Sequence, residues 1–233
     1  FKYATILGSY LLMMFYTVIS GWLLYYFFKM ARGNFQGLTT DGVEHVFSEL
    51  LGDPVSMIVC TIIILVFSFA VCAMGIQKGV ERVTKFMMFL LLILLILLAA
   101  RSVVLPNAKV GLMYYLRPDF GAMFESGLWE AVFAAMGQAF FTLSIGIGVL
   151  AVFGSRIDKS HSLTSDALYM AGLDTFVALL AGLIIFPACF SFGVEPDSGP
   201  NLLFITLPNI FNAMEGGRFW GSLFFLFMVF AAV

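Results

Sequence analysis

The hydrophobic pattern divides the chain into long apolar runs joined by short polar links. Runs over residues 5–29, 54–76, 82–104, 128–154, 167–191 and 218–233 carry few charges, and most are long enough to cross about 30 Å of hydrocarbon as helices. Period-2 polar alternation, which a membrane barrel requires, is absent. The pattern predicts an all-α polytopic membrane protein of about six transmembrane helices. The first run opens with no polar stretch before it, and the last stops short of a full crossing, so both ends are expected to be cut from a longer chain. The segment GPNLLFITLPNIFNAMEGG before the last run is apolar, but too short and too interrupted by proline and glycine to cross. It is expected to lie as a re-entrant or cap-like element against the outer mouth.

Composition narrows the class. Of 233 residues 61% are apolar and 11% charged, and the mean hydropathy of +1.02 is that of a chain whose solvent is the bilayer. A net charge of −2, with no basic patch interleaved with aromatics, leaves no role for nucleic acid. Cys60, Cys72 and Cys189 have no metal-ligand spacing and are expected to be buried thiols. His45 and His161 fall in separate links and suggest no metal site.

The links also orient the spans. Residues 76–86 carry a net +2 from Lys78, Glu81, Arg82 and Lys85, and residues 155–165 carry +1 from Arg156, Asp158 and Lys159. Residues 29–53 and 191–218 each sum to −2, and 101–127 is a mild exception at +1. Positive-side bias places links 76–86 and 155–165 in the cytoplasm.

The run over 128–154 is interrupted by GQAFFTLSIGIG, residues 137–148. Gly137, Gly146 and Gly148 weaken helix preference, while Thr142 and Ser144 offer hydroxyls. Irregular backbone at membrane depth is tolerated only against protein or a cavity, so this stretch is either a small-residue packing surface or a broken helix that serves a ligand. Of the 14 acidic residues, Asp174 alone sits inside a strongly apolar run, YMAGLDTFVALLAGLIIF. An intramembrane carboxylate faces a partner, a cation or water by default. A carboxylate with hydroxyls and freed carbonyls suits a hard alkali or alkaline-earth cation and not zinc; a hydrogen-bonded structural acid is the other reading. Broken helices with ion ligands near the midplane are a transporter device, whereas a channel lines its pore with repeated rings, which this chain lacks. Covalent catalysis is not indicated, since Ser144 has no histidine base near it; the chain is read as no enzyme.

These residues carry a family resemblance. GQAFFTLSIGIG resembles the sixth-helix signature GQxFFTLSxGxG of the neurotransmitter:sodium symporters, in particular their bacterial amino-acid branch, which includes the leucine transporter. GIQKGVERVTKFMM resembles the cytoplasmic link into the fifth helix, and FITLPNIFNAMEGGRFWGSLFFLFMVFAA the outer loop entering the eighth. The resemblance covers essentially residues 1–233 as one membrane domain, the third helix to the start of the eighth. It implies a partial leucine-transporter fold, with residues 1–104 part of the first inverted repeat and 128–233 part of the second.

The resemblance further implies a sodium-coupled symporter of hydrophobic or aromatic L-amino acids that works by alternating access, with Na+ as its cofactor. Its partners would be the amino acid, sodium ions, the lipid bilayer and the missing helices of the same parent protein, as a multi-pass protein of the cell inner (plasma) membrane. A channel or a non-transporting amino-acid sensor stands as the alternative. By resemblance Tyr16 contacts the substrate carboxylate. The Phe141 and Thr142 carbonyls and Ser144 hold the amine, with Gly146 in the same unwound stretch. The Phe141 ring closes the site, and Leu12 and Ile147 line the side-chain pocket. Thr142 and Asp174 match the first sodium site and Ala231 a carbonyl of the second. Gln138 and Ala178 match the chloride-site neighbourhood. Two departures are informative. Asp174 stands where asparagine is usual and Ala178 lacks a hydroxyl or carboxylate, which implies chloride independence with the carboxylate on sodium. Phe89, separated by nine residues from Gly79, stands where the family pattern has proline, so the fifth helix should be more regular.

Overall fold

The computed structural model describes residues 2–73, 81–146, 148–155, 162–193 and 199–232. All of its regular structure is helical. In chain order the helices are α1 (Lys2–Arg32), α2 (Thr40–Gly52), α3 (Pro54–Ala73), α4 (Glu81–Val103), α5 (Ala108–Leu116), α6 (Phe120–Ser126), α7 (Leu128–Thr142), α8 (Gly148–Gly154), α9 (Leu163–Phe192), α10 (Leu207–Ala213) and α11 (Gly217–Ala232). Among the described residues four of these, α1, α3, α4 and α9, are long and apolar enough to cross a membrane. The expected span over 128–154 is divided into α7 and α8, and α11 has 16 residues. Lys78, Gly79, Ile147, Arg156, Asp158, Lys159, His161, Glu195 and Asp197 lie outside the described residues.

Packing builds a bundle in which α1 lies between α3 and α11, α11 packs on α4, and α9 packs on α4 and α5. Small residues set the close approaches, as expected where helices gain nothing by excluding lipid. A Cβ on Gly21 would stand 2.6 Å from the Thr61 hydroxyl of α3, and one on Gly111 would stand 2.5 Å from the Phe186 carbonyl of α9. Pro187 interrupts the hydrogen-bond ladder of α9 there, because it has no N–H to give. On the α4 side of this turn, the buried Ser102 hydroxyl donates to the Ile184 carbonyl at 2.7 Å.

An aromatic cluster consolidates one end of the bundle. Tyr26, Phe35, Phe204, Phe211 and Phe225 are fully buried. The Tyr26 ring lies 4.9 Å from Phe204, 5.4 Å from Phe35 and 5.5 Å from Phe225, and Phe47 stacks flat on Phe204 at 5.3 Å. The Tyr26 hydroxyl is buried with no hydrogen-bond partner among the described residues. Phe204 reaches the cluster from a π-helical turn, Leu202–Thr206, closed by the Leu207 N–H on the Leu202 carbonyl. Pro208 begins the next turn and has no N–H for the Phe204 carbonyl, which accounts for the wider turn. The expected cap-like element is thus a π turn running into α10, with Leu207, Ile210 and Phe211 buried against the bundle. Asn212 ties it down: its Nδ2 donates to the Leu38 carbonyl at 2.8 Å and its Oδ1 accepts from the Gly37 N–H at 3.2 Å.

Two sequence expectations, on α4 and on the cysteines, meet this fold. α4 runs unbroken through Phe89, as the absence of proline requires. His45 stands exposed on α2. The expectation that all three cysteines are buried is corrected at one position: Cys189 is buried and Cys60 partly so, but Cys72 is exposed. It lies at the penultimate position of α3.

Candidate functional site

The site is built where α7 ends. The last helical bond of α7 runs from Leu143 N–H to the Ala139 carbonyl at 3.1 Å; the chain then turns, with Ser144 N–H on the Phe141 carbonyl at 3.1 Å and Ile145 N–H on the Phe140 carbonyl at 2.9 Å. Two residues of the turn take positive φ, Gly146 at 83° and Ser144 at 53°. Glycine adopts this conformation freely. A serine does so at a cost of about 1–2 kcal/mol, and retained backbone strain of this kind concentrates at ligand and switch sites. The helix resumes at Gly148, where α8 lies against α1; a Cβ there would meet the Ser9 hydroxyl at 3.4 Å, an ordinary van der Waals contact. Ser9 itself donates to the Thr5 carbonyl at 2.9 Å.

Asp174 meets this break from the middle of α9. The Thr142 hydroxyl lies 3.0 Å from one carboxylate oxygen and 3.1 Å from the other, which makes Thr142 a donor shared between both. Two of the residues that sequence reasoning singled out as out of place in apolar runs are therefore in contact. Gln138 lies four residues before Thr142 on the same face of α7, and Ala178 four residues after Asp174 on the same face of α9. Both are exposed. No described residue of α7 is buried, and the Phe141 ring is 51% exposed, so this face of the site stands open in the chain.

Tyr16 sits on α1, where α1 approaches α11 near Ser20. The fully buried Ser20 hydroxyl donates to the Tyr16 carbonyl at 2.7 Å, with the Ala232 carbonyl 3.3 Å away as second acceptor. Ser20 thereby joins the turn that carries Tyr16 to the end of α11 that carries Ala231. Leu12, one turn before Tyr16, is partly buried and Ala231 is exposed. Ile147 lies outside the described residues. Thr142, Phe141, Ser144, Gly146 and Asp174 thus form one local group, while Tyr16, Leu12 and Ala231 belong to the α1–α11 wall. Sequence reasoning missed Ser9 and Ser20; a hydroxyl at helical spacing from a small residue or a tyrosine was their only signal.

The donor chemistry points to a monovalent cation. Among the described residues no group of three or more His, Cys, Asp or Glu side chains comes together, so a cation at Asp174 would meet one negative charge, the Thr142 hydroxyl and backbone carbonyls of the turn. Such an all-oxygen set with one charge fits a hard ion of low charge and gives a soft metal no nitrogen or sulfur ligand.

Comparison with known proteins gives a consistent answer. A model of the sodium:neurotransmitter symporter family matches residues 42–233. An uncharacterized sodium-dependent transporter of Bacillus subtilis, YhdH, is 37% identical over 226 residues, covering 97% of this chain and 49% of the relative. An uncharacterized sodium-dependent transporter of Haemophilus influenzae is 34% identical over 235 residues, covering 99% and 50%. The crystal structure of MhsT in complex with L-phenylalanine superposes with a TM-score of 0.85 at 37% identity, covering 98% of this chain and 51% of that one. The chain spans about half the length of the curated relatives it matches.

Proposed function

Since this chain belongs to the sodium:neurotransmitter symporter family, we propose that it forms the third to the start of the eighth helix of a sodium-coupled symporter for hydrophobic or aromatic L-amino acids. Its six crossings would be α1, α3, α4, the broken pair α7 and α8, α9, and α11 with its continuation. Residues 1–104 would belong to the first inverted repeat and 128–233 to the second, in a multi-pass protein of the inner (plasma) membrane. The remaining helices of the parent protein would complete the site.

The observation that carries this reading is the Thr142–Asp174 contact at the break in α7. Sodium would replace the Thr142 proton as the carboxylate's partner, with the Thr142 hydroxyl oxygen turned to the ion. The turn at 143–146 would supply carbonyls, and the Phe141 and Thr142 carbonyls with Ser144 would hold the substrate amine. The Phe141 carbonyl already accepts from Ser144 N–H, and its second lone pair is left for an ammonium. Tyr16 would take the substrate carboxylate, Leu12 and Ile147 would line the pocket, and the exposed Phe141 ring would cover it. Ala231 would contribute a carbonyl to a second sodium site. The aromatic preference draws on the relative solved with L-phenylalanine. With a carboxylate at 174 and alanine at 178, the ion site carries its own negative charge, so transport would not need chloride at the Gln138 side.

The test is uptake of labelled amino acids into proteoliposomes bearing the full-length parent protein, under a sodium gradient with chloride present or replaced. Concentrative, sodium-dependent uptake of leucine or phenylalanine that persists without chloride is the expected result. Binding without uptake would mark a sensor, and current without coupled solute flux a channel; either outcome overturns the symporter reading.

A further inference from the structure

A cleft of about 490 Å³ opens between the last turn of α4 and the turn that joins α10 to α11. It lies apart from the α7 break. Its charged groups are Arg101 on α4 and Glu215 on the connecting turn, and Leu97, Val104 and Trp220 supply apolar walls. Both charged residues are exposed, and neither takes part in an ion pair among the described residues. A cleft that presents one unpaired cation and one unpaired anion beside each other complements a ligand with the same two charges.

Position along α4 adds the second half of the argument. Ile93, Leu97, Arg101 and Val104 follow one another at helical spacing on one face. Ile93 is 39%, Leu97 50% and Val104 81% exposed. On a helix long enough to cross the bilayer, such a stripe offers a track for an acyl chain that ends in a guanidinium at its rim. Trp220 stands at the same rim, and Trp is enriched at headgroup level because its ring is apolar and its N–H polar.

We infer that this cleft binds a zwitterionic phospholipid whose headgroup carries a primary amine, with Arg101 on the phosphate and Glu215 on the ammonium. A guanidinium gives a phosphate two parallel N–H donors. The ammonium gives Glu215 N–H donors that a choline headgroup lacks, and a headgroup with only negative charge would be repelled by that carboxylate. The apolar track down α4 continues past the cleft, which suits an acyl chain and gives a soluble amino acid no further contact.

The test uses the full-length parent protein in mild detergent. It is offered phosphatidylethanolamine, phosphatidylglycerol and phosphatidylcholine with the same chains at equal mole fraction, and retained lipid is read by native mass spectrometry. Phosphatidylethanolamine is expected to be retained about two- to fivefold over either of the others, the size of effect that exposed charge pairing supplies. Glu215→Gln should erase the discrimination against phosphatidylglycerol while lipid is still retained. Arg101→Gln should lower retention of all three. Both side chains are exposed in this chain, so neither change opens its core. Equal retention of the three lipids by the unaltered protein, or an unchanged preference in Glu215→Gln, overturns the inference. So does displacement of the lipid by soluble L-phenylalanine, which would make the cleft an amino-acid site instead.

Discussion

The Thr142 hydroxyl stands 3.0 and 3.1 Å from the two carboxylate oxygens of Asp174, joining the end of α7 to the middle of α9 across 32 residues of chain. A carboxylate placed so deep is retained for a partner, and on the proposed reading the partner in transport is sodium. Asp174→Asn keeps the shape and removes the charge. In the parent protein it should raise the sodium concentration for half-maximal uptake by about tenfold or more, since hydrogen bonds and contacts to a charged group are worth about 1.5–3 kcal/mol. Adding Ala178→Glu, one turn along the same face, should return part of the lost affinity. An unchanged sodium dependence in Asp174→Asn would remove the carboxylate from the ion site.

Tyr26 gives a prediction of opposite sign. Its hydroxyl is buried among Phe35, Phe204 and Phe225 without a partner among the described residues, and an unsatisfied buried polar group costs about 1–3 kcal/mol. Tyr26→Phe removes the oxygen and keeps the ring contacts. The variant should unfold at a higher temperature than the unaltered parent in the same detergent. A lower unfolding temperature would mean that the hydroxyl has a partner in the complete protein.

The candidate site was more legible in the sequence than the scaffold, for a physical reason. In an apolar chain a polar residue is the exception, so Thr142, Ser144 and Asp174 could be picked out one at a time, and the glycines marked the break between α7 and α8. Scaffold packing gives no such contrast. The face of α1 that meets α11 and its exposed face are both apolar, so nothing in the pattern told buried Leu23 from exposed Leu11. The short helices α2, α5 and α6 lie in links judged only by whether they could cross. The π turn before α10 depends on Pro208, which the sequence marked as an interruption without giving its geometry. Cys72 was misjudged because an apolar neighbourhood along the chain does not imply burial when the surrounding solvent is itself apolar.

Helix contact in the scaffold is testable at Gly111. A Cβ there would lie 2.5 Å from the Phe186 carbonyl and 2.7 Å from the Pro187 Cα, both backbone atoms fixed in the turn that Ser102 also holds. Gly111→Ala must push α5 away from α9, and overpacking of this kind costs about 1–3 kcal/mol. Gly182→Ala on the facing surface meets the far end of the Tyr115 ring, which can swing aside, so its cost should be smaller. Thermal unfolding of the two parent variants side by side checks the order. A reversed order would show that the α5–α9 approach is not set by backbone contact at Gly111.

The entry to α3 carries a pH prediction. Asp53 precedes Pro54, the first residue of the helix, and its carboxylate accepts the Val55 and Ser56 N–H groups at 3.1 and 3.2 Å as well as the Ser56 hydroxyl. Proline at the first helical position with an aspartate cap before it is a strong helix start. The Ser56 hydroxyl, followed by the backbone donors, holds the Asp53 carboxyl below its ordinary value. A lowered folded-state pKa means that the cap's contribution is fully present above the unfolded carboxylate range and is lost as pH falls through the lowered value. Ser56→Ala removes the largest cause, so Asp53 should titrate at a higher pH and the start of α3 should loosen earlier on acidification. Carboxyl-carbon NMR of labelled aspartate in the parent protein reads the first effect, and amide exchange at Val55 and Ser56, corrected for intrinsic rate, reads the second. An unmoved titration in Ser56→Ala would assign the shift to the backbone donors alone.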